Sequence, residues 1–133
     1  MMAMFDLFDF ISESGVNMLG RWARDESLSR RDRAILNQKL DRLAQMDFDL
    51  AWGTKLLAGP VHAQIYKLRV FGDVMLRPLL CKGPKHLDRE YTLLTGAVER
   101  DGKLRPAQCM VTAAANRELV QKHEHRRGPH ESF

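Results

Sequence analysis

The spacing of apolar residues changes near Gly53, and this change constrains the fold more than any other feature of the chain. Before it, three leucines recur at the spacing of one helical face, at Leu36, Leu40 and Leu43. Ser29 precedes them, where a helix-capping side chain is expected. After Gly53, residues 65–70 alternate between apolar and basic side chains, as in a strand with one buried face. A helical first part and a strand-forming second part predict an α+β fold.

The pattern predicts one domain over residues 1–133. Its elements are a weak strand, two helices, three strands and a closing helix, at residues 4–11, 14–24, 29–46, 65–70, 74–80, 91–98 and 106–120. We expect an N-terminal helical hairpin packed on a small antiparallel meander sheet, with a C-terminal helix and the helices on one face. The core is expected over residues 14–120, and the His- and Arg-rich residues 121–133 are expected to be a flexible tail.

The net charge of +4 is distributed unevenly along the chain. Residues 1–26 contain two Lys or Arg against five Asp or Glu, whereas the remaining residues contain 19 against 12. The basic part favours an anionic partner such as nucleic acid. No apolar run approaches the ~20 residues that cross a bilayer, and the acidic start is unlike a signal peptide. We therefore expect a cytoplasmic protein with no membrane association.

The two cysteines, Cys81 and Cys109, fall in no metal-ligand spacing. We expect them to be buried, reduced thiols. His123, His125 and His130 lie in the predicted flexible tail, which offers a metal no fixed geometry. The sequence therefore predicts no metal site and no other cofactor.

Five stretches in the second part resemble the RelE/ParE toxin superfamily, especially its phage-type HigB-like branch. Their order and spacing carry the resemblance: Lys55-Leu56-Leu57, Ile65-Tyr66-Lys67-Leu68-Arg69, Leu76-Arg77-Pro78-Leu79-Leu80, Leu93-Leu94-Thr95-Gly96-Ala97-Val98 and Ala114-Ala115-Asn116-Arg117. The resemblance covers about residues 28–118. It implies a RelE/ParE-like arrangement of the helices around the meander sheet.

The resemblance also implies a function. It predicts a metal-independent, ribosome-dependent mRNA endonuclease that inhibits translation. The expected catalytic residues match basic positions in the first two meander strands, at Lys67, Arg69 and Arg77. The expected RNA-binding residues follow the third strand, at Arg100, Lys103 and Arg105. The implied partners are mRNA on the ribosome and a protein antitoxin encoded nearby.

These residue types suit the implied reaction. Cleavage of RNA by its own 2′-hydroxyl needs a base for that proton, cations for the phosphorane and an acid for the leaving 5′-oxygen. A lysine crowded by arginines can act as the base, and an arginine fork binds phosphate oxygens. Alternation along the strand is expected to place Lys67 and Arg69 on one face, about 6–7 Å apart.

Departures from the family pattern leave other functions open. Leu76 stands where the family commonly has Tyr, and Thr95 stands where the HigB-like branch often has His. One alternative is a non-enzymatic inhibitor, such as a gyrase-directed ParE-like protein. Another is a binding module, such as a phage protein that targets a host protein. A purely structural interpretation of the same residues is also open, in which Lys67 and Arg69 form a solvated strand face and Arg77 protects an edge strand from pairing.

Overall fold

The computed structural model describes residues 5–133, so Met4, at the start of the predicted first strand, lies outside the described residues. The chain has an α+β architecture in which helices surround two β-sheets. Its α-helices are α1 (Met18–Asp25), α2 (Arg30–Leu43), α3 (Phe48–Gly53) and α4 (Cys109–Lys122). A single 3₁₀ turn follows α4 at Glu124–Arg126.

The first three helices begin where local sequence supplies a cap. The capping residues are Asn17 for α1, Ser29 for α2 and Asp47 for α3, and the side chain of each accepts a backbone N–H of the first turn. Each such cap contributes ~1 kcal/mol. The start of α2 confirms the prediction from sequence, because Ser29 Oγ accepts the backbone N–H of Asp32 at 3.0 Å.

Six strands form the main sheet: β1 (Asp6–Phe10), β2 (Leu57–His62), β3 (Ile65–Leu68), β6 (Leu79–Lys82), β7 (Glu90–Thr95) and β10 (Arg127–Pro129). Their order is β10, β1, β7, β6, β3, β2. Strands β2, β3, β6 and β7 are antiparallel neighbours, whereas β1 lies parallel to β7. The sheet is therefore mixed, with an antiparallel meander that β1 and β10 extend on its β7 side.

Four short strands form a second, antiparallel sheet: β4 (Val70–Phe71), β5 (Met75–Leu76), β8 (Val98–Arg100) and β9 (Lys103–Arg105). Strand β4 follows β3 after Arg69, and β5 precedes β6 across Arg77-Pro78. Pro78 has no N–H to donate to a neighbouring strand, so it suits the break between β5 and β6. The backbone N–H of Arg77 donates to the carbonyl of Ala97 at 2.8 Å. This hydrogen bond joins the bend between β5 and β6 to the bend between β7 and β8. The predicted strands therefore bend from one sheet into the other.

The main sheet is buried on both faces, which corrects the prediction that all helices lie on one face. Leu36, Leu40 and Leu43 of α2 have no exposed surface and belong to the apolar cluster on the first face. Helix α4 packs on the other face, where Cys109 and Ala113 join a second cluster. The reason is that β6 and β7 carry consecutive buried apolar residues, which point to opposite faces: Leu79, Leu80 and Cys81, and Leu93 and Leu94.

The C-terminal residues are ordered by specific contacts, so the predicted flexible tail at residues 121–133 is wrong. Strand β10 pairs with β1. Beyond it, His130 Nδ1 lies 2.8 Å from Oδ1 of Asp9, a carboxylate that is 1% exposed. The backbone N–H of Phe133 donates to Asn37 Oδ1 at 2.8 Å. A buried carboxylate needs hydrogen-bond donors, and the tail supplies some of those that surround Asp9, alongside the side-chain amide of Asn17.

Sequence periodicity also missed or undervalued several elements, among them β1, α3 and β2. Strand β1 was predicted to be weak, yet it lies between β7 and β10 and buries Asp9 and Phe10. Helix α3 and strand β2 were not predicted, because six residues are too few for a clear period. Within residues 5–133, no helix combines the length and apolar character that a bilayer crossing requires.

Candidate functional site

The residues expected to be catalytic lie where the strands bend between the two sheets. Arg77, between β5 and β6, is 3% exposed. Its guanidinium donates to the carbonyl oxygens of Val70 at 3.2 Å and Leu76 at 2.9 Å. Its Nε donates to Glu99 Oε1 at 3.2 Å. Arg77 therefore ties the bends of the chain together, and much of its hydrogen-bonding capacity is used within the fold.

Glu99, on β8, is the centre of this group, and the sequence analysis did not single it out. Its Oε1 accepts from Lys67 Nζ at 2.7 Å as well as from Arg77. The hydrogen bond from Lys67 is the largest of the effects that hold the pKa of Glu99 below its ordinary value, and burial opposes it only in part. The side chains of Lys67 and Glu99 remain 23% and 19% exposed, so a ligand can reach the pair.

Phe71, on β4, presents an aromatic ring to solvent beside this ion pair. The residue is 53% exposed. The guanidinium carbons of Arg69 and Arg77 lie 5.4 Å and 5.1 Å from the centre of its ring. These distances are those of cation–π contacts. We call Lys67, Arg69, Phe71, Arg77 and Glu99 together the Glu99 cluster.

The turn that carries Phe71 is anchored to the start of α2. Asp32 is buried, and its Oδ1 accepts the backbone N–H of Asp73 at 2.8 Å. The Asp73 carboxylate in turn accepts from Arg31 Nη1 at 2.7 Å and from Ser29 Oγ at 3.1 Å. These contacts fix the β4–β5 turn, so the Phe71 ring has a defined place on the surface.

The residues expected to bind RNA do not join the Glu99 cluster. Arg100, Lys103 and Arg105 are all exposed on the β8–β9 hairpin. In its register Arg105 is opposite Val98 and Arg100 is opposite Lys103, whereas Glu99 is opposite Leu104. Because neighbouring residues of a strand point to opposite faces, the three cations project from the face that does not carry the Glu99 side chain. Arg105 lines a separate open groove of about 620 Å³ with Trp22.

The cluster combines the groups that phosphodiester chemistry uses, with different roles from those predicted. The sequence hypothesis took Lys67 as a base crowded by arginines, but the group bonded to its ammonium is a carboxylate. Glu99 is the ionised acceptor of the cluster, and a carboxylate is one of the groups that can accept a proton in such a reaction. Lys67 and Arg69 are cations that can interact with a phosphate. Arg69 lies between β3 and β4, and its guanidinium lies over the Phe71 ring.

The two cysteines lie away from this chemistry. Both are free and buried. Burial raises the pKa of Cys81 to about 12 and also raises the pKa of Cys109. Both are therefore protonated thiols at neutral pH and poor nucleophiles. No group of three or more His, Cys, Asp or Glu side chains is arranged to hold a metal within residues 5–133.

No protein-family model matches this chain, and neither a curated protein nor a solved structure is significantly similar to it.

Proposed function

We propose that this protein is a RelE/HigB-like toxin that cleaves mRNA on the ribosome and so inhibits translation. The observation that carries the proposal is the Glu99 carboxylate held beside Lys67, next to an exposed Phe71 ring that two arginines contact. The resemblance of residues 28–118 to that superfamily adds support. The finer RelE/ParE-like arrangement of the fold, action in the cytoplasm and neutralisation by an antitoxin encoded nearby belong to the same proposal.

Each member of the Glu99 cluster has a role in the proposed reaction. An unpaired base stacks on Phe71, as bases do on exposed aromatic residues in single-strand-binding proteins. The Glu99 carboxylate accepts the proton of the 2′-hydroxyl, and the resulting oxygen attacks the adjacent phosphorus. Lys67 and Arg69 stabilise the charge of the phosphorane.

The reaction is completed when the bond from phosphorus to the 5′-oxygen breaks. The Lys67 ammonium donates a proton to that leaving oxygen, and the products are a 2′,3′-cyclic phosphate and a free 5′-hydroxyl. The proton accepted by Glu99 and the one given by Lys67 balance. Arg77 is a positioning residue in this scheme, because its contacts are to Glu99 and to carbonyls of the fold.

The proposal is tested by inducing the protein in a bacterial host and mapping mRNA 5′ ends. We expect new cuts within codons that carry 5′-hydroxyl ends. Glu99→Gln should remove the cuts, and Phe71→Ala should reduce them strongly. Leu87→Ala is the matched control for Phe71, because it also truncates an exposed apolar side chain, 56% exposed, on the loop between β6 and β7. Unchanged cutting in both Glu99→Gln and Phe71→Ala would refute the assignment.

A second candidate is a non-enzymatic inhibitor or binding module on the same fold. The observation that favours it is that Arg77 is buried and that Lys67 and Glu99 neutralise each other. In that case mRNA stays intact while growth stops. An induced DNA-damage response would indicate gyrase as the target, and its absence together with a stoichiometric host protein on the purified chain would indicate a protein target.

A further inference from the structure

A cleft of about 230 Å³ opens between α2 and the segment that joins α3 to β2. Four of its lining residues are cations, at Lys39, Arg42, Lys55 and Arg69. Thr54, Leu56 and Phe71 complete the lining, which contains no carboxylate. We call this the basic cleft. It is contiguous with the Glu99 cluster, because Arg69 and Phe71 belong to both.

The cations of the basic cleft share one concavity that no carboxylate of the described chain lines. None of them forms an ion pair with another of residues 5–133. Some exposed cations outside the cleft do so, as Arg21 does with Asp25, but what sets the cleft apart is that four cations, unpaired in the part of the chain that the structure describes, line a single concavity. Like charges gathered in a concavity repel one another and concentrate a positive potential there. Such an arrangement favours an anion in the cleft.

Local structure does not account for these cations. Arg42 lies in the last turn of α2, where a positive charge also offsets the helix dipole. Lys39 lies a turn earlier, and Arg69 lies on a strand connection, so the dipole does not explain them. Lys55 has a φ of +64°, a left-handed conformation that Gly or Asn adopts more easily.

We infer that the basic cleft binds a phosphate of single-stranded RNA, one or more nucleotides along the strand from the base that stacks on Phe71. The choice of RNA rests on the proposed function. Within the structure, it is favoured by continuity: a positive groove beside an exposed aromatic ring is the arrangement by which proteins follow a single strand. The cleft therefore extends the RNA site from the Glu99 cluster over the surface of α2.

Binding is measured by fluorescence anisotropy with a short, labelled, single-stranded RNA whose 2′-hydroxyls are methylated. This probe lacks the nucleophile, so binding is separated from cleavage. The test variant is the double substitution Lys39→Gln/Lys55→Gln. The matched control, Arg24→Gln/Arg89→Gln, removes the same charge from exposed residues that also form no ion pair among the described residues and lie away from the cleft. Affinity is recorded over a series of salt concentrations.

Each phosphate contact that is lost should flatten the slope of log affinity against log salt by about 0.7, which is about fivefold in affinity at 0.1 M salt. The control should change affinity by less than about twofold, since charges remote from the strand are screened. Lys55→Gly should also weaken binding while keeping or raising Tm, because glycine fits the left-handed backbone. Weakened binding would therefore not be a consequence of unfolding.

Equal affinities and slopes for the cleft variant and the control would overturn the inference. Competition by polyglutamate as effective as that by RNA of equal charge would also overturn it, in favour of an acidic protein segment. The proposed function fails separately. If the wild-type protein cuts no mRNA but the cleft variant still loses RNA affinity, the cleft stands and the nuclease does not. If the wild-type protein cuts mRNA but the cleft variant binds RNA with wild-type affinity, the nuclease stands and the inference about the cleft fails.

Discussion

The substitution Gly72→Ala tests how the turn that carries Phe71 is anchored to α2. A Cβ atom at this position would lie 2.2 Å from Asp32 Oδ1 and 2.7 Å from its Cγ. Asp32 is 2% exposed, and the same Oδ1 accepts the backbone N–H of Asp73 at 2.8 Å. The new methyl group must therefore displace the carboxylate, which breaks this hydrogen bond, or displace the turn.

Two costs contribute to the expected effect. Loss of a hydrogen bond to a buried charged group costs ~1.5–3 kcal/mol. Forcing a methyl group into a packed site costs ~1–3 kcal/mol. We expect Gly72→Ala to lower the free energy of unfolding by ~3 kcal/mol. For 133 residues, with an unfolding entropy of ~2.1 cal/mol/K per residue, this corresponds to a fall in Tm of ~10 °C.

The assay is a double-mutant cycle with Asp32→Ala, followed by urea denaturation. Without the Asp32 carboxylate there is no close contact, so Gly72→Ala should then cost less than ~0.5 kcal/mol, and the coupling should approach 3 kcal/mol. Equal costs in the two backgrounds would refute the reasoning, because the clash would then not be with Asp32. If the turn positions Phe71 for RNA, Gly72→Ala should also weaken RNA binding.

Three further predictions concern buried groups. Gly96→Ala places a Cβ 1.9 Å from the Trp22 ring. This overpacking should lower the free energy of unfolding by ~1–3 kcal/mol, measured by urea denaturation. An unchanged free energy of unfolding would mean that the ring is free to move. Glu90→Gln leaves the buried guanidinium of Arg127 uncompensated and should cost ~3–5 kcal/mol. Burial opposes ionisation of Glu90, but the hydrogen bonds and charge of Arg127 outweigh it and lower its pKa. The stabilisation that the Glu90–Arg127 pair contributes is therefore complete above the ordinary pKa of 4.5, and it is lost as the pH falls below that value and through the lowered pKa of the folded protein. Denaturation curves that show no such loss of stability in the wild-type protein, or show it equally in Glu90→Gln, would contradict this. Cys81, whose pKa burial raises to about 12, should resist iodoacetamide at about pH 8 until the protein unfolds, and rapid alkylation of the native protein, detected by mass spectrometry, would contradict its burial.

The elements that local sequence determined are those with a strong period or a local cap. Helix α2 begins at the capping residue Ser29 and buries the leucines of its apolar stripe, as predicted. Strand β3 falls within the alternating stretch of residues 65–70, as predicted. Alternation alone sets which side chains share one face of a strand, so this strand could be predicted from the sequence. An α+β fold with a meander followed from the order of these periods.

Long-range contacts decided the rest. Lys67 bonds to Glu99, 32 positions away, and His130 bonds to Asp9, 121 positions away. Periodicity cannot predict such pairs, since it says which face a side chain occupies and not which distant side chain faces it. The same limit applies to the hairpin cations, which are close to Glu99 in sequence but on its opposite face. The sequence by itself thus determined the elements with a strong period and the basic character of the strands, whereas only tertiary packing placed a carboxylate among the cations and ordered the charged tail.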